Sequence, residues 1–113
     1  MITVDKLREW GAAVDEGLAR CMNNESFYLM LVGKSLEGSQ IGDLEAALSE
    51  KDLTRAFEAA HALKGVCGNL SLTPLFKPVS EMTELLRARE QRDYGDYLAA
   101  IAAAHQKLCE LCE

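Results

Sequence analysis

The sequence is poor in residues that interrupt helices. Proline occurs only twice among 113 residues. Because proline lacks a backbone N–H and breaks helix interiors, this scarcity favours long helices. No apolar run approaches the roughly 18 residues of a membrane span, and no signal-peptide pattern opens the chain. We therefore expect a cytoplasmic protein that has no membrane partner.

Positive charge is also scarce. The chain has 12 Lys and Arg against 18 Asp and Glu, a net charge of −6 and a pI near 4.9. Binding to nucleic-acid phosphates requires clustered Lys and Arg, so we expect no nucleic-acid partner.

Motifs for autonomous catalysis are missing as well. No glycine-rich phosphate loop is present, so we expect no kinase activity from ATP alone, and whether the chain counts as an enzyme is left open. The two histidines, His61 and His105, have no carboxylate constellation, which argues against a catalytic metal site. Cys109-x-x-Cys112 has a zinc-like spacing without a second pair. Two reduced thiols on one terminal helix are the favoured interpretation, and a redox or metal module is a weaker one.

Apolar residues make up 49% of the chain and recur at helical spacing, with no strand-like alternation. The length suits one domain over residues 1–113. We predict an all-α fold, an antiparallel four-helix bundle with additional short terminal helices. Its predicted members are helices near residues 24–36, 41–50, 52–69 and 78–91.

Capping residues and prolines in the sequence predict where several helices begin. Thr3 and Asp52 are predicted N-caps, and Thr73 is predicted to cap a helix whose first residue is Pro74. Pro78 leaves two alternatives: a helix that begins at Pro74 and is kinked at Pro78, or a regular helix that begins at Pro78.

The most informative stretch is residues 59–70. At about 100° per residue, six apolar side chains fall on one third of a helix and form a core-facing stripe. His61 lies nearly opposite the middle of that stripe, and Lys64, Gly65 and Gly68 share its face. The stripe consists of Ala59, Ala60, Leu63, Val66, Cys67 and Leu70.

Two glycines on the solvent side of a helix each cost about 0.5–1 kcal/mol relative to alanine. Gly65 and Gly68 would be useful if the backbone of another protein had to approach His61 closely. The alternative is a surface histidine on a helix that frays near its glycines.

Residues 60–65, followed by Asn69 and Leu70, resemble the signature of histidine-containing phosphotransfer (HPt) domains. Residues 11–20, 25–31 and 44–52 resemble helical segments that precede this motif. The sequence departs from the family at Ser71, where many members have glycine, and at Pro78.

The resemblance implies a phosphorelay intermediate. His61 would accept a phosphoryl group from a receiver-domain aspartate and pass it to another receiver, while Lys64 would offset the negative charge. Gly65 and Gly68 would leave room for the partner, which would be a response regulator or a hybrid sensor histidine kinase. The magnesium ion would belong to the receiver, so the chain would need no cofactor of its own.

Several points stay open in the sequence. Phe57 is either a partner contact or an edge of the core, and Lys77, Ser80 or Thr83 could orient the second ring nitrogen of the acceptor. His105 falls within the apolar spacing of the last helix and is interpreted as structural. The alternative function is a helical protein–protein interaction module without phosphotransfer activity.

Overall fold

A computed structural model describes residues 2–35 and 40–112, and these form helices without any strand. The all-α prediction is confirmed. The helices are α1 (Val4–Trp10), α2 (Val14–Arg20), α3 (Glu25–Ser35), α4 (Gln40–Ser49), α5 (Leu53–Asn69), α6 (Thr73–Arg87) and α7 (Gly95–Leu111).

The last four helices form the bundle. The closest helix pairs are α4 with α5, α5 with α6, and α6 with α7. Leu48 at the end of α4 lies across a cavity from Leu53 and Leu98, which begin α5 and α7. At the other end, Ile41 of α4 faces Leu108 of α7. Successive helices therefore run in opposite directions, and the predicted antiparallel four-helix bundle is confirmed.

The predicted membership of the bundle is wrong for one helix. The segment near residues 24–36 was expected inside the bundle, and only short helices were expected at the ends. Instead the C-terminal α7, with 17 residues, is a bundle member, and α3 packs most closely on α2. Helix α3 buries Tyr28 and Val32 and exposes Phe27 and Met30, and its Leu29 and Leu31 pack partly buried against the core. Residue 36 lies outside the described residues.

Tyr28 connects the N-terminal helices to the end of α5 through a hydrogen bond and a packing contact. Its hydroxyl donates a hydrogen bond to the Leu70 carbonyl at 2.8 Å. Gly17 of α2 lies directly against the ring, where an added Cβ would be 2.5 Å from a ring carbon of Tyr28. This packing places the C-terminal end of α2 beside the C-terminal end of α5.

Helix α5 has the predicted orientation. The Asp52 side chain caps it by accepting a hydrogen bond from the Arg55 N–H at 3.1 Å, as predicted. The Thr3 cap of α1 is confirmed in the same way. The buried face of α5 consists of Ala56, Ala60, Leu63 and Cys67.

The structure shows that α6 begins before Pro78. The helix runs from Thr73 to Arg87 with Pro78 inside it, and the cap position is Leu72, so the predicted Thr73 cap is wrong by one residue. Pro78 cannot donate to the Pro74 carbonyl, which is a local cost. Burial of Leu75, Val79, Met82 and Leu86 along this helix offsets it.

The turn between α5 and α6 explains the departure at Ser71. Its backbone has φ of 56°, in the left-handed region that glycine adopts without strain. A guanidinium nitrogen of Arg20, at the end of α2, donates to the Ser71 Oγ at 2.6 Å. That hydrogen bond stabilises the serine in a backbone conformation that glycine adopts more readily.

Substitutions at Ser71 should report this strain. We expect Ser71→Val to lower the free energy of unfolding by about 1–3 kcal/mol, because a β-branched residue is strongly disfavoured at this φ. Ser71→Gly should change it by less than about 1 kcal/mol, since relief of strain offsets the lost hydrogen bond. Denaturant unfolding measures both, and equal losses in the two variants would contradict the role assigned to the backbone conformation.

Candidate functional site

The predicted acceptor His61 lies on the solvent face of α5 and is exposed. Phe57, one turn earlier, stacks on its ring, with ring centroids 5.6 Å apart and planes at 17°. Phe57 itself is half-buried against the core, so it belongs to the edge of the core and also supports the imidazole. Its predicted contact with a partner stays a prediction.

Arg87, at the end of α6, also lies over the Phe57 ring. Its guanidinium carbon is 5.0 Å from the ring centroid, within range of a cation–π interaction. Its Nε donates to Glu84 at 2.9 Å. The phenyl ring of Phe57 thus contacts both the His61 imidazole and the Arg87 guanidinium.

Arg87 also controls the charge of Glu84. The hydrogen bond and positive charge of Arg87 hold the pKa of the Glu84 carboxyl below its usual value, and Lys64 and His61 lower it further. Glu84 therefore stays ionised near the imidazole, and Arg87 partly neutralises it.

The residues Arg87 and Glu84 were not predicted as part of the site. Both lie more than 20 residues after His61 in the sequence, and no local pattern connects them with it. Their approach follows from the antiparallel packing of α5 and α6, which brings the end of α6 beside the beginning of α5.

Lys64 is half-buried one turn after His61. Within residues 2–35 and 40–112, its ammonium group has no hydrogen-bond or ion-pair partner. It is therefore available to bind an anion held on the imidazole.

The two glycines have different surroundings. A Cβ added at Gly65 would meet no atom within 4 Å, so the helix surface there is open. A Cβ at Gly68 would lie 3.3 Å from the ring of Phe76. The helix surface at Gly65 is therefore open, whereas Gly68 lines the groove but packs against the Phe76 ring. The role of both residues in partner binding stays a prediction.

A shallow groove of about 350 Å³ runs along this face of α5. Arg20 of α2 lines it, although no local sequence signal connects Arg20 with the motif. Its position depends on the packing of α2 against the end of α5. The other residues that line the groove are His61, Lys64, Gly65, Gly68, Asn69 and Phe76.

No side chain among the described residues hydrogen-bonds the His61 ring. Of the three candidates, Thr83 is excluded because it is buried and donates to the Val79 carbonyl at 2.7 Å. Lys77 is exposed and Ser80 is half-buried, and neither forms a hydrogen bond with the ring.

The second histidine has a different setting. His105 is half-buried in α7, and its ring nitrogens lie 3.8 and 3.9 Å from the Cys109 Sγ. In the described part of the chain, no three His, Cys, Asp or Glu residues cluster in a way that could hold a metal ion. Elsewhere in the core, burial raises the pKa of the Cys67 thiol to about 12, which keeps it protonated.

None of the helices in the described ranges combines the length and apolar character that crossing a bilayer requires.

Comparison with protein families gives one match. The model described as Hpt domain matches residues 38–111, a stretch that contains α4 to α7 and therefore His61 and its groove. Helices α1 to α3, including Arg20, precede the matched stretch. Comparisons with curated proteins and with solved structures gave no match.

Proposed function

This chain belongs to the Hpt domain family, whose members act in histidine phosphotransfer within phosphorelays, and we propose that His61 accepts a phosphoryl group from a receiver-domain aspartate and passes it to another receiver. The observation that carries this proposal is the exposed imidazole beside the open backbone of Gly65. A partner can approach the ring there without displacing a side chain of this protein.

The proposed chemistry needs little from the bundle itself. The neutral form of an imidazole has one ring nitrogen with a free lone pair, which can attack phosphorus. That nitrogen forms the N–P bond while the P–O bond to the aspartate breaks, and the aspartate leaves as a carboxylate. Phosphoryl transfer depends mainly on positioning and charge neutralisation. We assign the positioning to the Phe57 stack and the charge neutralisation to Lys64.

Magnesium chemistry is assigned to the partner. Mg²⁺ is held by oxygen ligands such as carboxylates, and the receiver would bring such ligands together with its aspartyl phosphate. The residues around His61 then have only to bind, orient and neutralise the transferring group.

The test is transfer of label from receiver domains that have been phosphorylated with a small-molecule phosphodonor. We expect label on this chain that mild acid removes and base does not, which identifies a phosphohistidine. ATP without a receiver should give no label. If no receiver in a broad panel transfers label, the proposal is wrong and the interaction-module alternative replaces it.

Lys64 should contribute to transfer without being indispensable. We expect Lys64→Ala to slow transfer, or to shorten the lifetime of the phosphorylated state, by about tenfold, which corresponds to one charge-assisted hydrogen bond. Transfer kinetics measure this loss, and Lys64→Arg should retain most of the activity because it keeps the charge. An alanine variant with unchanged rate and lifetime would remove Lys64 from the site.

A further inference from the structure

The groove beside His61 differs in charge from the protein as a whole. The chain has a net charge of −6, yet two cations, Arg20 and Lys64, line this groove. No Asp or Glu side chain of the described residues lines it. The side chains that line the groove therefore carry only positive charge, and the nearby Glu84 carboxylate, which is outside the lining, is paired with Arg87.

Arg20 is held firmly at the edge of this groove. Its Nη1 donates to the Gly68 carbonyl at 3.0 Å, the Asn69 carbonyl at 3.3 Å and the Ser71 Oγ at 2.6 Å. The carbonyls belong to the C-terminal end of α5, where the helix dipole favours a cation.

These bonds do not use all of the guanidinium. Arginine has five N–H donors, and the bonds above come from one nitrogen. Across residues 2–35 and 40–112, Nη2 and Nε have no hydrogen-bond partner. Arg20 thus has a fixed position and donors left for an external anion.

We propose that Arg20 binds an acidic side chain at the edge of the receiver's phosphorylation site, and so affects how well a given receiver docks. This inference rests on the function proposed for His61. Carboxylates are ligands that Mg²⁺ accepts, so we expect the surface of a receiver around its phosphorylation site to be acidic, with carboxylates beyond those that hold the ion. Arginine matches a carboxylate through two parallel hydrogen bonds.

The distance along α5 between His61 and the residues that bond Arg20 indicates that Arg20 affects docking of the partner and not the transfer step. His61 and Gly68 are seven residues apart on α5, or about 10 Å at 1.5 Å per residue. Arg20, bonded to Gly68, therefore acts on the partner surface and does not touch the transferring group. Its loss should weaken encounter and leave the rate within the complex unchanged.

The test compares Arg20→Gln with wild type in transfer from one labelled receiver. At about 0.1 M salt, we expect the second-order rate constant to fall about twofold to fivefold, the range of exposed ion pairs. At about 1 M salt, where the Debye length is about 3 Å, the difference should disappear. The rate at saturating receiver should not change. Arg20→Lys should retain more than half of the wild-type rate constant.

Two further variants isolate the effect. Arg92→Gln removes the same charge at the opposite end of the bundle, where Arg92 lines a different cavity, and should transfer like wild type. Ser71→Ala removes one bond of Arg20 but keeps its charge, and should keep the wild-type salt dependence. Denaturant unfolding verifies that each variant is folded.

The possible results separate this inference from the function on which it rests. If wild type takes no label from any receiver, both fail. If wild type is labelled but Arg20→Gln equals it at low salt, the role of Arg20 alone is wrong. Equal losses in Arg92→Gln would reduce the effect to net charge. If Ser71→Ala lowers the second-order rate constant as much as Arg20→Gln does, Arg20 would only stabilise the turn between α5 and α6.

Discussion

Replacing His61 by glutamine should abolish the acid-labile label that a phosphorylated receiver transfers to the wild-type chain. Glutamine offers no nitrogen with a free lone pair, since the amide delocalises it, so no N–P bond can form. The fold should persist, because His61 is exposed and loses only its stack on Phe57. We expect the free energy of unfolding to fall by no more than about 1 kcal/mol.

Two control variants belong with this prediction. His105→Gln should be labelled like wild type, because His105 lies half-buried in α7 next to Cys109. Leu63→Ala should lower the free energy of unfolding by about 2–5 kcal/mol, since Leu63 is 6% exposed in the core. Label that persists in His61→Gln would refute the assignment of the acceptor. Comparable unfolding losses in His61→Gln and Leu63→Ala would refute the orientation of α5.

Replacing Gly65 by leucine should block transfer while leaving the protein folded. A Cβ at Gly65 meets no atom within 4 Å, so leucine fits the free protein, and its helix propensity is better by about 0.8 kcal/mol. In the complex, the same side chain would occupy the space that the partner needs. Reacting atoms must approach to about 3–3.5 Å, and a displacement of about 1 Å costs about a hundredfold in rate. We therefore expect at least about a hundredfold slower transfer.

Gly42→Leu is the matched control for Gly65→Leu. Gly42 is an exposed helical glycine of α4 that also has no atom within 4 Å of an added Cβ, and it does not line the groove. Its leucine variant should transfer at the wild-type rate. Transfer kinetics measure the loss in each variant, and denaturant unfolding verifies that both variants are folded. An unaltered rate in Gly65→Leu would remove the argument for close approach.

The orientation of α5 could be predicted because its determinants are local. The spacing of Ala56, Ala60, Leu63 and Cys67 defines the buried face, which leaves His61 outside. The caps at Thr3 and Asp52 are also local, since each side chain bonds an N–H three residues later.

Bundle membership, the path of the chain at Pro78 and the positions of Arg87 and Arg20 depend on tertiary contacts that local sequence patterns do not encode. Helices α3 and α7 both have apolar stripes, and only their packing shows that α7 belongs to the bundle. Pro78 was ambiguous because its local cost competes with burial along α6. Arg87 and Arg20 reach the site from α6 and α2. For Arg20, the residues that it bonds lie 48 to 51 positions further along the chain.

The central claim is that the phosphoryl group resides on the imidazole of His61. It is tested most directly by locating the phosphate on the wild-type chain after transfer, with tandem mass spectrometry at neutral pH, where phosphohistidine survives. We predict a single phosphorylated residue, His61, and no modification of His105. Phosphate on any other residue, or a labelled chain whose His61 is unmodified, would contradict the claim.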